Sequence, residues 1–195
     1  MVVPLVLVTC SPLDISGPDG TPDGVVDSYD RYIYGNTDPK VYGGFSTDLS
    51  WKGLTLNAIF NYSLGGHRIS DYYESLISSV GQSYASTDLL DRWTETNPNG
   101  YFPRRMTNVS GYSAYSAGET DRYIQSSSYL RLANLTLAYN LQPGLLKQIH
   151  LNSLRVYFTA SNLFTATSYK GFDPEIGDYN YPPARTYTFG LNFSF

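Results

Sequence analysis

The sequence predicts an all-β protein whose antiparallel strands wall a membrane barrel. Three observations predict it. Several segments alternate apolar and polar residues with period two, which marks a strand with two unlike faces. Those segments have the length of a tilted membrane-crossing strand, and the connections between them are alternately short and long. Composition agrees. Of 195 residues only 15% are charged, while 15% are aromatic, with 19 Tyr. A water-soluble domain usually carries about a quarter charged residues. No stretch approaches the roughly 18 apolar residues of a transmembrane helix, so a helical membrane protein is excluded. With 13 basic and 17 acidic residues the net charge is -4, which leaves no electrostatic footprint for nucleic acid. A single cysteine, Cys10, excludes an intramolecular disulfide and a cysteine-rich zinc site.

Taken in order, residues 1–18 form an unassigned N-terminal segment. Leu7-Val8-Thr9-Cys10 has the outline of a lipoprotein cleavage motif, but Thr9 stands where a smaller residue is expected and no basic residue precedes it. The chain therefore reads as beginning inside a longer protein. Asp19 to Asp30 then fits a twelve-position calcium loop, which needs hard oxygen ligands at positions 1, 3, 5, 7, 9 and 12 and Gly at position 6. Those positions hold Asp19, Thr21, Asp23, Val25 (through its carbonyl), Asp27 and Asp30, with Gly24 at the turn and Val26 as the apolar plug. Calcium is the one cofactor expected. The competing reading is an acidic Gly/Pro turn without metal.

Five strands follow, at about 41–52, 54–64, 129–141, 153–164 and 185–195. From Val41 to Trp51 the odd positions are mostly apolar, and from Leu54 to Leu64 the even ones are. Only Lys52-Gly53 separates these two strands, which is a hairpin turn. Leu135, Leu137, Tyr139 and Leu141 share one face of the third strand, and Leu154, Val156, Phe158 and Ala160 share one face of the fourth. A turn from Gln142 to Asn152 joins those two. The other two connections, Gly65 to Ser128 and Thr165 to Ala184, are long. Short turns alternating with long loops are the pattern of outer-membrane barrels, whose long loops are extracellular.

Within the longer loop, Ser70 to Val80 and Thr87 to Trp93 read as short helices. That loop also holds Tyr72, Tyr73, Tyr84, Trp93, Tyr101, Phe102, Tyr112, Tyr115 and Tyr123. Aromatic faces beside Asn, Asp and Arg can stack on sugar rings, which makes Tyr72, Trp93, Tyr101 and Tyr112 candidates for substrate contact. Packing of a long ordered loop on itself would use the same residues. His67 and His150 have no carboxylate or thiol at ligand spacing. With no nucleophile elbow, phosphate loop or carboxylate pair, the chain does not read as an enzyme.

The last strand runs Tyr187, Phe189, Leu191, Phe193, Phe195, alternating with polar residues and ending on an aromatic. It resembles the signal that outer-membrane proteins present to the barrel-assembly machinery. Five strands cannot close a barrel, since the smallest membrane barrels have about eight. Open edges in lipid leave backbone groups unsatisfied at several kcal/mol each. The expectation is a C-terminal piece, residues 19–195, of a larger barrel. A soluble calcium-dependent carbohydrate-binding β-module remains the alternative, and facing discriminates. In a barrel wall Phe45, Leu49, Phe60, Leu137, Phe158 and Phe189 form one outer band; in a soluble sandwich they converge on an interior.

Several runs resemble the late barrel of SusC-type (SusC/RagA) TonB-linked outer-membrane proteins. They include Asp23-Gly24-Val25-Val26-Asp27 with Asp30-Arg31, and Tyr34-Gly35-Asn36-Thr37-Asp38-Pro39-Lys40. Ser128-Tyr129-Leu130-Arg131-Leu132 and Ser161-Asn162-Leu163-Phe164 belong to the same set, as does Tyr169-Lys170-Gly171-Phe172-Asp173-Pro174-Glu175. The resemblance covers about Asp19 to Phe195. It implies a barrel of about 22 strands around an internal plug, located in the cell outer membrane and lidded by a SusD-like surface lipoprotein. It further implies import of glycans or peptides, energised through TonB. Plug, TonB-contacting segment and most of the barrel have no counterpart in this sequence, so transport by this polypeptide alone is not expected.

Overall fold

The computed structural model describes residues 4–7, 14–24, 28–78, 84–102, 121–146, 151–178 and 180–195. In chain order the strands are β1 (Pro4–Leu7), β2 (Tyr32–Asn36), β3 (Val41–Trp51), β4 (Leu54–Leu64), β5 (His67–Ile69), β6 (Ile124–Ser126), β7 (Tyr129–Asn140), β8 (Ser153–Thr167) and β9 (Thr186–Ser194). Among the described residues two α-helices accompany them, α1 (Asp71–Ser78) and the single turn α2 (Pro143–Leu146). The chain divides into two units. One comprises residues 39–65, 128–168 and 182–195, and the other residues 1–38, 66–127 and 169–181.

The first unit is one antiparallel sheet in the order β3-β4-β7-β8-β9, the sequential meander expected from the alternation. Lys52 and Gly53 both have positive φ, 47° and 87°, as a two-residue hairpin turn requires. The register aligns every apolar set. Phe45 faces Phe60, which faces Leu132, and Leu49 faces Leu56, which faces Leu137. Leu137 faces Phe158 and Phe158 faces Phe189, while Leu154 faces Phe193. All six residues named as the facing test therefore lie on one face. The Phe45 and Phe60 rings stack at 4.9 Å, and Phe158 lies 4.8 Å from Phe189.

Neither face is covered within this unit. Ten of the eleven residues of β3 are exposed, and Phe189 is 79% exposed. A sheet in water would bury its apolar face against a second layer. A sheet bare on both sides, apolar on one and polar on the other, is the cross-section of a wall between lipid and water. Eleven residues at about 3.3 Å each, tilted by about 45°, rise about 25 Å, the height of a barrel's apolar band.

The opposite face carries hydrogen-bonded polar pairs. Asn57 donates to Asp48 at 2.7 Å, Thr136 and Thr159 share a bond of 3.2 Å, and Arg131 Nε donates to Thr165 Oγ1 at 3.0 Å. On this face the Tyr157 ring covers Gly190, where a Cβ would come within 2.1 Å of it.

Four strand boundaries, in β3, β7 and β9, differ by a residue from the alternation, and β8 differs by more. It continues to Thr167 rather than ending near Phe164. A register shift where β7 passes Leu132 to Asn134 lets Arg131, Leu130 and Tyr129 go on pairing with Thr165, Ala166 and Thr167. Asn162, at φ 54°, sits opposite that shift, and its Nδ2 donates to the Ala184 carbonyl at 3.1 Å. The strand is longer because the irregularity realigns it instead of stopping it.

The second unit contains two short antiparallel pairs, β1-β2 and β5-β6, that alternation does not reveal. Segments of three to five residues are too short to display a period. Its core gathers Tyr73, Ile77, Leu89, Phe102 and Tyr123, with Ile69 against them. The helix expected over Ser70 to Val80 is α1, with Val80 outside the described residues. The helix expected over Thr87 to Trp93 is a 3-10 turn, Thr87–Asp91, capped by Ser86, whose side chain accepts from the Asp88 amide.

Candidate functional site

Among the described residues the richest polar constellation lies in the second unit, where two carboxylates organise side chains from distant parts of the sequence. Asp178 accepts four hydrogen bonds. Ser70 Oγ (2.7 Å) and the Tyr72 amide (3.0 Å) donate to Oδ2, while Tyr169 Oη (3.0 Å) and the Phe172 amide (3.2 Å) donate to Oδ1. Ser70 is fully buried and in turn accepts from the Tyr73 amide at 3.1 Å, so it caps α1 while anchored to Asp178. Burial pushes the Tyr169 hydroxyl up to about 12, reinforced by Asp178 and opposed by Ser70. Held by one carboxylate, Tyr72 and Phe172 set their rings 4.3 Å apart at 32°.

Asp88 is the second organiser. Lys170 Nζ donates to its Oδ2 at 2.5 Å and Tyr73 Oη donates to the same oxygen at 2.6 Å. Lys170 Nζ also lies 4.9 Å from the centre of the Tyr73 ring. The hydrogen bond from Lys170, then that from Tyr73, holds Asp88 below the usual carboxylate range. Burial and the bond to Asp88 raise the Tyr73 hydroxyl well above its usual value. Beside these, Asp173 Oδ1 accepts from the amides of Glu175 and Ile176, and Arg68 donates to the Glu175 carbonyl at 3.1 Å.

The four aromatic candidates have different settings. Tyr72 is partly exposed and leans on Phe172; Trp93 is 39% exposed. Tyr101 is 55% exposed with the Arg122 guanidinium 5.4 Å from its ring, and Tyr112 lies outside the described residues. Tyr73, Phe102 and Tyr123 are core residues, and Tyr84 is nearly fully exposed. The arrangement offers exposed rings beside cations and amides.

In the expected calcium loop, Asp19, Thr21 and Asp23 are exposed, whereas Val25 and Asp27 lie outside the described residues. Asp30 is fully buried, its Oδ1 accepting from the amides of Ile15 (2.7 Å) and Ser16 (3.0 Å). The Gly24 amide donates to Asp14, and a tight turn bonds the Gly17 amide to the Thr21 carbonyl at 2.7 Å. Among the described residues, no three His, Cys, Asp or Glu side chains are gathered for a metal ion. Tyr187, Phe189, Leu191 and Phe193 of the last strand continue the bare apolar face, and Phe195 is 88% exposed. His67 packs edge-on against Tyr34 at 5.5 Å, and His150 lies outside the described residues.

No family model matches the chain. It is 34% identical to TonB-dependent receptor P3 of Formosa agariphila over 189 residues, 89% of this chain and 18% of that protein. With TonB-dependent receptor SusC of Bacteroides thetaiotaomicron it shares 29% identity over 94% of its own length and 18% of the relative's. The chain is a homologue of SusC-type TonB-dependent receptors. Among solved structures, the RagAB peptide transporter matches with a TM-score of 0.72 and 29% identity over 100% of this chain and 22% of that one. The RagAB peptide importer in its open-open state matches with a TM-score of 0.67 and 28% identity. The chain spans about a fifth of the length of these SusC-type relatives. Its five-stranded sheet thus matches part of the barrel of receptors of that type.

Alternation located the wall, and it missed Asp178 and Lys170. Asp178 meets Ser70 and Tyr72 across 108 and 106 residues of sequence, and no local pattern records such a partnership. The run from Tyr169 to Glu175 was visible only as a resemblance, without a role for any side chain.

Proposed function

We propose that this chain is the C-terminal wall of a TonB-dependent importer of the SusC type in the cell outer membrane. It acts there together with the remaining strands and plug, and takes up glycans or peptides. The observation that carries the reading is the sheet itself: one face apolar and bare, the other polar and bare, in the register of a barrel wall. A soluble carbohydrate-binding module would cover that apolar face. The two outer strands, β3 and β9, each carry one unpaired edge in this sheet. In lipid such edges are satisfied by neighbouring strands, which the rest of the barrel would supply.

The second unit joins residues 1–38 to the two long connections, and long connections in such barrels are extracellular. Its ordered aromatics suit contact with substrate or with a SusD-like lipoprotein over the barrel mouth. The loop from Asp19 to Asp30 would bind calcium there and order the same surface. The barrel-assembly machinery would read Tyr187 to Phe195, and TonB would act through the plug.

An affinity tag at the exposed Tyr84 or Tyr181 allows a direct test in the native bacterium. Isolation in mild detergent should recover the tag from the outer membrane together with plug sequence and a SusD-like lipoprotein. Recovery from the soluble fraction with neither would overturn the proposal.

A further inference from the structure

We infer that the bilayer face of the sheet, at its long-connection end, holds one acyl chain of a membrane lipid in a fixed niche. This rests on the reading of the sheet as a membrane wall. A shallow apolar depression of about 490 Å³ lies there, lined by Phe45, Tyr62, Leu64, Leu130, Ala166 and Ser168, among others.

The register explains why it is hollow. Ser63 pairs with Tyr129 and Tyr129 with Thr167, so Leu64, Ser128 and Ser168 form the last row of the apolar face. The row beneath it is Tyr62, Leu130 and Ala166, and the row below that is Phe60, Leu132 and Phe164. Bulky side chains fill the third row, whereas Ser128 on β7 and Ala166 and Ser168 on β8 leave the upper two rows hollow toward β8. Gly43, opposite Tyr62, adds no side chain at that flank; a Cβ there would meet the tyrosine hydroxyl at 3.0 Å.

The hollow has a direction. Its floor, Phe45, Leu130 and Ala166, is apolar, and its rim at the connection end carries the hydroxyls of Ser128 and Ser168. An apolar trough closing on a hydroxyl-bearing rim fits a lipid, with the chain along the trough and the polar head at the rim. It is also continuous with the apolar band that faces the bilayer, where acyl chains are the surrounding solvent. A small, flexible gap in that band is filled from the bilayer, and a concave one immobilises what fills it.

The test uses the whole barrel that contains this chain, in vesicles of phosphatidylethanolamine and phosphatidylglycerol, with photoreactive benzoylphenylalanine replacing either Ser168 at the rim or Leu49 on the flat part of the band. In vesicles both positions should cross-link to phospholipid. After exchange into detergent only the Ser168 position should still do so, and adding Ala166→Phe, which fills the floor, should reduce that retained product at least about fivefold. Equal loss of both cross-links in detergent, or retention undiminished by Ala166→Phe, would overturn the niche while leaving the membrane wall intact. Absence of lipid cross-links at both positions in vesicles would overturn both.

Discussion

Two of the four hydrogen bonds that Asp178 accepts come from the backbone amides of Tyr72 and Phe172, so one carboxylate fixes the position of two rings. Hydrogen bonds to a charged acceptor contribute about 1.5–3 kcal/mol each. Asp178→Ala should therefore let both amides exchange with deuterium at least about tenfold faster, and unchanged protection would show that other contacts hold them. Asp88 makes the same unit sensitive to acid. Its carboxyl is lowered in the folded chain, so its contribution is present above the ordinary carboxylate pKa and is lost as pH falls through the lower folded value. Tyr169, raised to about 12, works in the other direction: its contribution is present below about 10 and is lost as pH rises through about 12. Exchange around Tyr73 should accelerate below about pH 4, and Lys170→Met should move that onset upward; an onset that ignores Lys170→Met would contradict the role given to the pair. Calcium is tested by calorimetric titration of the protein and of an Asp23→Ala, Asp30→Ala double variant. Heat at millimolar calcium in the first and none in the second is expected, whereas equal heats, or none in either, would leave an acidic turn.

At the scale of elements, Gly190 and Tyr157 form a cross-strand pair in which the ring occupies the space a side chain would take. Gly190→Ala should displace the ring and destabilise the β8-β9 pairing by about 1–3 kcal/mol. In a background of Tyr157→Ala the same change should cost much less, because the two residues share one volume. Additive losses in denaturant unfolding would contradict this packing. The strands were legible because period two survives where each face meets a different medium, and Leu54–Leu64 follows the alternation to the residue. β8 was cut short because the realignment opposite Asn162 interrupts the alternation without ending the pairing. Strands β1, β2, β5 and β6 left no readable pattern, being held by partners remote in sequence. For the same reason the capping of α1 by Ser70, itself held by Asp178, was not legible, although the helix was.

For the whole molecule, the sequence carried the wall far better than the connections. A sheet between lipid and water writes its environment into every second residue, whereas the connection unit is set by single contacts such as Lys170 with Asp88. A barrel wall requires that one face of β8 meet lipid and the other meet water. It is tested most directly by single-cysteine scanning of residues 154–160, with Cys10 replaced by Ser, in the outer membrane. Cysteines at Arg155, Tyr157 and Thr159 should react with a membrane-impermeant maleimide. Those at Leu154, Val156 and Phe158 should react only with a lipid-soluble one. Even positions that resist both reagents, as they would in a protein interior, or reactivity without alternation, would contradict it.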